Sequence, residues 1–539
     1  MIQLAARASF AVLAFAVGLT GAAAASTAKA EGVGEVSFAN SGSPAAQEPF
    51  LRGFALLHNF EYDDAAEQFR KAQEIDPGFA MAFWGEAMTY NHPIWMKQDL
   101  DAARAVLGRL GATPEARQAK TERERDYLRT VEVLYGSGEK KERDFYYADA
   151  MAALHQRYPD DVDATAFYAL SLLGTAHEGR DFATYMRSAA LLEEVFPAHP
   201  RHPGVLHYLI HSYDDPVHAP LGIRAARLYG GVAPNAGHAL HMTSHIFVAL
   251  GQWDDVIAAN DQAMRVVNQH RAAQGKPRQT CGHYVSWLHY AYLQERRLDE
   301  AKQQLDACRE MAMKEVASPQ PAKAAPASHA AHTGGEYAEH AGDYVEMRVF
   351  HAIETGRWDS TDPFVLPEGA DQDGARFTLA YGEALVAAGG DPQALRAAAA
   401  RLRERNKDTE DAKNPAAARQ RSEIRVRQIE ALERIRGGKK DEGIALLRQA
   451  AEAESAMALE FGPPIVEKPT WELLGDELIA LGRNAEAEPA YQSALARAPG
   501  RTHALEGLLR VQQALGKTEA AERTRAQLRQ YVKTETAAR

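Results

Sequence analysis

Five histidines in the middle of the chain are regularly spaced, and together they could bind a metal ion. His207 and His241 are 34 residues apart, and the same separation relates His211 and His245. Residues i and i+4 share one face of a helix, so His207 and His211 form one stripe, and His238, His241 and His245 form another. Imidazoles at i and i+4 can ligate one ion, and a neighbouring helix can complete the coordination shell.

These stripes predict a site for a transition metal or a small ligand. A metal would be a divalent ion of Zn, Cu, Fe or Ni, because imidazole is a ligand common to all of them. Asp214 extends the first stripe, and we expect it at the edge of the site. In the alternative interpretation, the histidines only hydrogen-bond across neighbouring helices or cap a turn. No general base is recognisable beside the stripes, so the sequence assigns no catalytic residue and leaves enzymatic activity open.

A weaker set of polar residues could extend the same surface. His58 and His92 are also 34 residues apart, and Glu86 lies shortly before His92. His283 starts another helical stripe that includes Trp287. The aromatic residues around His92 are more typical of packing between helices, so these residues are weaker candidates.

The two cysteines, Cys281 and Cys308, are too few for a disulfide framework and lack the spacing of a thiolate metal site. They fall near the two ends of a predicted helical hairpin, which an antiparallel arrangement would bring together. A disulfide between them is one interpretation, and two separate buried thiols are the other.

Length and composition exclude several classes of protein. The chain has 539 residues, 46% hydrophobic and 25% charged, which is typical of a folded protein with several domains or a long repeat array. Its net charge of −12 disfavours binding to nucleic acid. The motifs HExxH, GxxxxGK[ST], GxGxxG after a strand and GxSxG are absent, so metalloprotease, nucleotide-binding and α/β-hydrolase activities have no support.

Internal repeats of about 34 residues determine the expected fold. Near the C-terminus the repeat residues are Trp471, Leu474, Gly475, Gly482, Ala487, Tyr491, Ala494 and Pro499. Near the N-terminus the same pattern contains Gly53, Ala65, Phe69, Ala72 and Pro77. The chain therefore resembles the tetratricopeptide repeat (TPR) family. The resemblance implies an all-α fold, a TPR-type α-solenoid of antiparallel helix pairs, which a low-complexity insertion interrupts.

Longer segments, including HPGVLHYLIHSYDDP and HALHMTSHIFVALGQWDD, resemble a group of exported bacterial tetratricopeptide repeat proteins. By this resemblance, the histidine stripes face the concave groove of the solenoid, where ligands of the family bind. A second hypothesis follows from the same resemblance: a periplasmic scaffold binds a peptide or protein partner in this groove, and the histidines are structural.

The N-terminus predicts export. Arg7 precedes an apolar stretch from Phe10 to Ala25, and alanine-rich cleavage options follow, as in a secretory signal peptide. We expect a periplasmic or secreted protein with no integral membrane segment after signal cleavage. The predicted regions are a signal peptide (1–30), a flexible segment (31–46), N-terminal repeats (47–313), a low-complexity linker (314–342), a helical region (343–457), C-terminal repeats (458–533) and a tail (534–539).

Overall fold

The computed structural model describes residues 27–30, 32–317, 340–359, 362, 364–366, 373–409 and 416–532. In these residues helices follow one another, and consecutive helices pack against each other as hairpins. The predicted all-α solenoid is confirmed. The predicted signal peptide and tail lie outside the described residues, except for a short strand at 27–30.

The first eight helices form the start of the array. They are α1 (Gln47–His58), α2 (Tyr62–Ile75), α3 (Ala80–Met88), α4 (Leu100–Leu110), α5 (Glu122–Leu134), α6 (Lys140–Arg157), α7 (Val162–Leu173) and α8 (Phe182–Val195). Single 3-10 turns lie at Pro44–Ala46, Pro93–Trp95 and Pro114–Ala116.

The next seven helices include the histidine stripes. They are α9 (Pro203–Tyr213), α10 (Ala219–Val232), α11 (Gly237–Leu250), α12 (Trp253–Ala273), α13 (His283–Gln294), α14 (Leu298–Ala317) and α15 (His340–Thr355). The predicted linker at 314–342 overlaps the end of α14 and the start of α15, and its middle, 318–339, lies outside the described residues.

The remaining helices form the C-terminal part. They are α16 (Asp373–Ala387), α17 (Pro392–Thr409), α18 (Ala416–Arg436), α19 (Lys440–Ser455), α20 (Thr470–Ala480), α21 (Asn484–Arg497), α22 (Thr502–Ala514) and α23 (Thr518–Tyr531). Glycines of the repeat pattern allow these helices to approach closely. A Cβ at Gly475 would lie 2.8 Å from the ring of Tyr491, and one at Gly507 would lie 2.3 Å from it.

Two short antiparallel ribbons accompany the helices. Strand β1 (Thr27–Ala30) pairs with β2 (Gly34–Ser37), with Thr27 opposite Ser37, and β3 (Asn91–His92) pairs with β4 (Lys97–Gln98). The expectation that 31–46 is flexible is wrong for its described residues, because Val33, Val36 and Phe38 are buried in the core around α1.

The C-terminal repeats contact the histidine-bearing region directly. The indole N–H of Trp253, at the start of α12, donates a hydrogen bond to the carbonyl O of Gly500 at 3.0 Å. The guanidinium of Arg501 is buried and donates to the hydroxyl of Tyr290 on α13 at 2.9 Å. These contacts pack the two halves of the chain, before and after residues 318–339, against each other.

A disulfide joins Cys281 to Cys308, so the first of the two interpretations of the cysteines is correct. The two Cα atoms are 4.3 Å apart. The bond links the residues just before α13 to the middle of α14, and it lies in a small hydrophobic cluster shared with α15.

Candidate metal centre

Three successive first helices of the hairpins, α9, α11 and α13, bring six histidines together. Helix α9 contributes His207 and His211, α11 contributes His238, His241 and His245, and α13 contributes His283. The five stripe residues and the weaker candidate His283 therefore form one cluster, which we call the histidine cluster.

The histidine cluster divides into two groups of three. In the first trio, donor nitrogens of His207, His211 and His238 lie within 4.8 Å of one another. In the second trio, donor nitrogens of His241, His245 and His283 meet the same limit. Three nitrogens at such separations can converge on one ion.

Hydrogen bonds fix the Nδ1 side of His207 and His241. Nδ1 of His207 donates to the backbone carbonyl O of His58 at 2.7 Å. Nδ1 of His241 donates to Oδ1 of Asn260 at 2.6 Å. In metalloproteins a ligating histidine commonly donates its second ring N–H to a carbonyl or carboxylate, which orients the ring and selects the tautomer.

Asp214 orients two more imidazoles. Its Oδ2 accepts from Nδ1 of His245 at 3.0 Å and lies 3.4 Å from Nδ1 of His211. Its Oδ1 accepts from the guanidinium of Arg180, and both partners of this ion pair are buried. The carboxylate of Asp214 thus lies behind the imidazoles, while Arg180 balances its charge.

His238 is held by contacts at both its backbone and its ring. Its backbone N–H donates to Oε1 of Glu61 at 2.9 Å, near the start of α11. Its Nδ1 lies 3.4 Å from the hydroxyl of Tyr284. All five histidines of α9 and α11 therefore direct Nδ1 at a polar partner.

The Nε2 atoms face the interior of the cluster. Among the described residues, the buried Nε2 atoms of His207, His211 and His238 have no hydrogen-bond partner. Nε2 of His245 lies 3.3 Å from Nε2 of His241. Because both of these histidines use an Nδ1–H in other hydrogen bonds, the two facing Nε2 atoms carry lone pairs in the neutral state.

Burial keeps the imidazoles neutral. It lowers the pKa of His207, His238 and His241 well below the usual 6.5, and neighbouring imidazoles lower it further. The pKa values of His245 and His283 fall to about 4, again chiefly through burial.

For Asp214, the effect of burial on the pKa is outweighed by the effect of its neighbours. Burial raises the pKa of its carboxyl group, but the charge of Arg180 and hydrogen bonds from His211 and His245 lower it by more. The pKa therefore stays below its usual value, and Asp214 is a carboxylate at neutral pH. Neutral imidazoles and an ionised carboxylate are the states that metal binding requires.

The histidines that we expect to face the concave groove are buried rather than exposed to solvent. The five histidines of α9 and α11 are at most 3% exposed. Phe60, in the turn after α1, lies over the first trio, with ring centroids 4.2 Å from His207, 5.9 Å from His211 and 5.6 Å from His238. The solenoid folds its own loops over the stripes, which the repeat pattern of a single helix pair does not reveal.

Trp287 and Phe461 cover the second trio. The Trp287 ring centroid lies 4.9 Å from His241, 4.6 Å from His245 and 5.3 Å from His283. Phe461 belongs to the turn between α19 and α20, and its ring lies 4.6 Å from His245. This turn also lines a cleft between the two halves of the chain, of about 850 Å³ including space open to solvent, and Asp214 lines the same cleft.

The other weak candidates lie outside the histidine cluster. Nε2 atoms of His58 and His202 approach Oδ1 of Asp163 at 3.1 and 2.9 Å, so these three residues form a separate hydrogen-bonded triad. The carboxylate of Glu86 pairs with Arg70 and Arg109. His92 stacks on Tyr62, at 4.3 Å between ring centroids, and its Nε2 donates a hydrogen bond to the carbonyl O of Thr89.

Sequence reasoning did not find the residues that support the cluster from outside. These are Asn260, Arg180, Tyr284, Phe60 and Phe461. Arg180 precedes Asp214 by 34 residues, so the repeat period could have indicated this pair. Phe60 and Phe461 lie in turns whose placement depends on how the solenoid curves, and no local signal indicates it.

Comparison with known proteins supports the fold class. Residues 469–501 match the tetratricopeptide repeat family, so the chain carries a repeat of this type across α20 and α21. With the hairpins described above, the chain is an all-helical repeat protein that carries a tetratricopeptide repeat, and repeats of this kind generally form protein-interaction scaffolds. No curated protein matches the chain.

Several solved structures are distantly similar to the chain. Similar structures include the APC/C hetero-tetramer Cut9-Hcn1, at 10% identity over 93% of this chain and 76% of that chain, with a TM-score of 0.33. Human IFIT1 dimer with PPP-AAAA is 12% identical, with 90% of each chain covered and a TM-score of 0.34. Yeast Tom70 is 10% identical, with 91% and 92% covered and a TM-score of 0.26. Scores this low support no inference about function.

One further property concerns membranes. In the part of the chain that the structure describes, no helix has the length and apolar content needed to cross a bilayer.

Proposed function

We propose that this repeat protein binds transition-metal ions through the Nε2 atoms of the histidine cluster. The observation that carries the proposal is the 3.3 Å separation between Nε2 of His241 and Nε2 of His245. Since neither nitrogen carries a proton in the neutral state, two lone pairs face each other in a buried space. A cation between them turns this repulsion into two coordinate bonds.

The separation also fits metal coordination. Zn–N bonds are about 2.0–2.1 Å long, and at a tetrahedral angle two such nitrogens lie about 3.3 Å apart. The outer hydrogen bonds from His241 to Asn260 and from His245 to Asp214 supply the support that ligating histidines need.

We further propose that the protein functions after export, in an oxidising compartment such as the periplasm. The Cys281–Cys308 disulfide supports this location, because such bonds persist outside the reducing cytoplasm. Detection of the processed chain in a periplasmic or secreted fraction, with loss of this signal when residues 1–25 are deleted, tests the location.

The test of metal binding is the metal content of untagged protein purified without chelator, measured by inductively coupled plasma mass spectrometry. The variant His211→Asn/His245→Asn keeps an amide near each Nδ1 position, so it preserves the donors toward Asp214 while it removes both Nε2 lone pairs. We expect bound Zn, Cu, Ni or Fe in the parent protein and a large loss in the variant.

A matched control uses the separate triad. The His202→Gln variant keeps a donor toward Asp163 and changes a buried histidine outside the cluster, so its metal content should equal that of the parent protein. Absence of metal in the parent protein, even after reconstitution with each of the four ions, would contradict the proposal. The histidines would then be structural, and a partner-binding scaffold would be the remaining function.

A further inference from the structure

We propose that the histidine cluster is a two-ion centre, with one copper ion in each trio. This inference rests on the proposed function and adds to it the number of ions, their positions and the metal. It is carried by the repeat construction of the two trios, by their separate aromatic covers and by the charge balance around them.

The two trios are built in the same way at successive repeat interfaces. In the first, the i, i+4 pair His207 and His211 of α9 is completed by His238, the second residue of α11. In the second, the i, i+4 pair His241 and His245 of α11 is completed by His283, the first residue of α13. Each site therefore takes two ligands from one histidine-bearing helix and one from the first turn of the next histidine-bearing helix, which is α11 for the first trio and α13 for the second.

Each trio also has its own aromatic cover. Phe60 contacts the three histidines of the first trio, and Trp287 contacts the three of the second. Phe60 has a φ of 57°, a left-handed conformation that bulky residues rarely adopt. This unusual backbone conformation thus occurs at the residue whose ring covers the first trio.

The trios adjoin but remain distinct. Ring centroids of His211 and His245 are 5.7 Å apart, and those of His238 and His241 are 6.2 Å apart. A zinc or copper ion bound by nitrogen usually takes four ligands or fewer, so six convergent imidazoles exceed the needs of one ion. Asp214 supports one histidine of each trio, His211 and His245, and so connects the two sites.

The charge balance favours copper. The carboxylate of Asp214 is paired with Arg180, so the imidazoles of the cluster supply no net negative charge to a bound ion. The cost of burying an ion rises with the square of its charge, so a monovalent ion costs about a quarter as much as a divalent one. Cu(I) is monovalent, accepts three ligands and binds imidazole, and Cu(II) is the tightest-binding of the common divalent ions.

The triad of His58, Asp163 and His202 is a buried histidine group with a different hydrogen-bond arrangement. There, an imidazole nitrogen of each histidine is hydrogen-bonded to Oδ1 of Asp163, so both of these nitrogens already have a partner. In the histidine cluster the corresponding nitrogens face one another. The two arrangements provide a test site and a control site in one molecule.

The experiment is an anaerobic Cu(I) titration of metal-free protein, with bicinchoninate as the competing chelator and ascorbate as reductant. We expect two Cu(I) per chain in the parent protein and in the His202→Gln control. His207→Asn, which disables the first trio, should leave one Cu(I), and His283→Asn, which disables the second, should also leave one. The double variant should retain none.

The possible outcomes distinguish failure of the two-ion copper inference from failure of the proposed metal-binding function. One Cu(I) per chain in the parent protein, lost in both single variants, overturns the two-ion inference while metal binding stands. Two zinc ions with no retention of Cu(I) against the chelator overturn the assignment of copper. No binding of Cu, Zn, Ni or Fe overturns the proposed function itself. Circular dichroism of each metal-free variant checks folding, and His283→Asn, at a partly buried position, tests the inference if His207→Asn does not fold.

Discussion

Nδ1 of His241 lies 2.6 Å from Oδ1 of Asn260, and this contact determines which ring nitrogen can bind a metal. The Asn260 side chain is itself oriented, because its Nδ2 donates to the carbonyl O of Val256 at 2.9 Å. Oδ1 must therefore accept, Nδ1 of His241 carries the proton, and Nε2 presents its lone pair to the cluster.

The first prediction concerns this contact. Asn260→Ala removes the acceptor that fixes the tautomer and orientation of His241, and we expect metal affinity to fall by about 10- to 100-fold. The matched control is Asn268→Ala in the same helix, since Asn268 bonds to the backbone of Gln279 and not to a histidine. Chelator competition measures both affinities, and equal losses in the two variants would contradict a specific role for Asn260.

The second prediction is the pH dependence of the metal-free protein. His245 and His283 have pKa values of about 4 when folded, against the usual 6.5, and burial holds the pKa values of His207, His238 and His241 well below 6.5 as well. The unfolded chain thus binds more protons below pH 6.5, so stability is full above this pH and falls as the pH drops toward 4.

Because several histidines contribute, we expect the free energy of unfolding to decrease by several kcal/mol between pH 6.5 and 4. Denaturant unfolding across this range, with chelator present, measures the slope. The His211→Asn/His245→Asn variant should show a shallower decrease than the parent protein. Identical slopes in the two proteins would mean that the cluster does not control the acid sensitivity.

The fold and the central ligands could be predicted from the sequence because both depend on local periodicity. The 34-residue spacing of His207 and His241 places them at equivalent points of successive hairpins, and the i, i+4 spacing to His211 and His245 places each pair on one face. The glycine and tyrosine pattern around Tyr491 likewise reports the packing of neighbouring helices.

Burial of the cluster could not be predicted, because it depends on contacts that are distant in sequence. Phe60 lies about 150 residues before the stripes and Phe461 more than 200 after them, yet both cover imidazoles. The position of Phe461 follows from the packing of the C-terminal repeats against α12 and α13 through Gly500 and Arg501. The periodic pattern of the sequence contains no information on how the two halves of a solenoid pack against each other.

The third prediction concerns access to the cluster. Phe461 lines the cleft between the two halves and packs on the His245 ring, so we expect Phe461→Ala to speed the removal of bound metal by an external chelator at least several-fold. Pro464→Ala is the control, because Pro464 lines the same cleft and belongs to the same turn. Stopped-flow measurement of metal release distinguishes the two, and equal rates in parent and Phe461→Ala proteins would place the entry route elsewhere.

The fourth prediction links the disulfide to the second trio. Cys281 precedes His283 by two residues, and its bond to Cys308 ties the first turn of α13 to α14. Closing a loop of this sequence separation, 27 residues, restricts the unfolded chain and contributes about 3.5 kcal/mol to stability. Cys281→Ser/Cys308→Ser should lower the unfolding free energy by about that amount.

The same change should affect the two trios unequally. Without the disulfide the first turn of α13 is less constrained, so the trio that includes His283 should bind metal more weakly, whereas the trio of His207, His211 and His238 draws no ligand from α13. Chelator titration of the serine variant should therefore show the site of His283 weakened most and the other site affected only through the Tyr284 hydroxyl near His238, and combination with His207→Asn should leave only the weakened site. Uniform weakening of both sites would mean that the disulfide stabilises the solenoid as a whole and has no specific effect on His283.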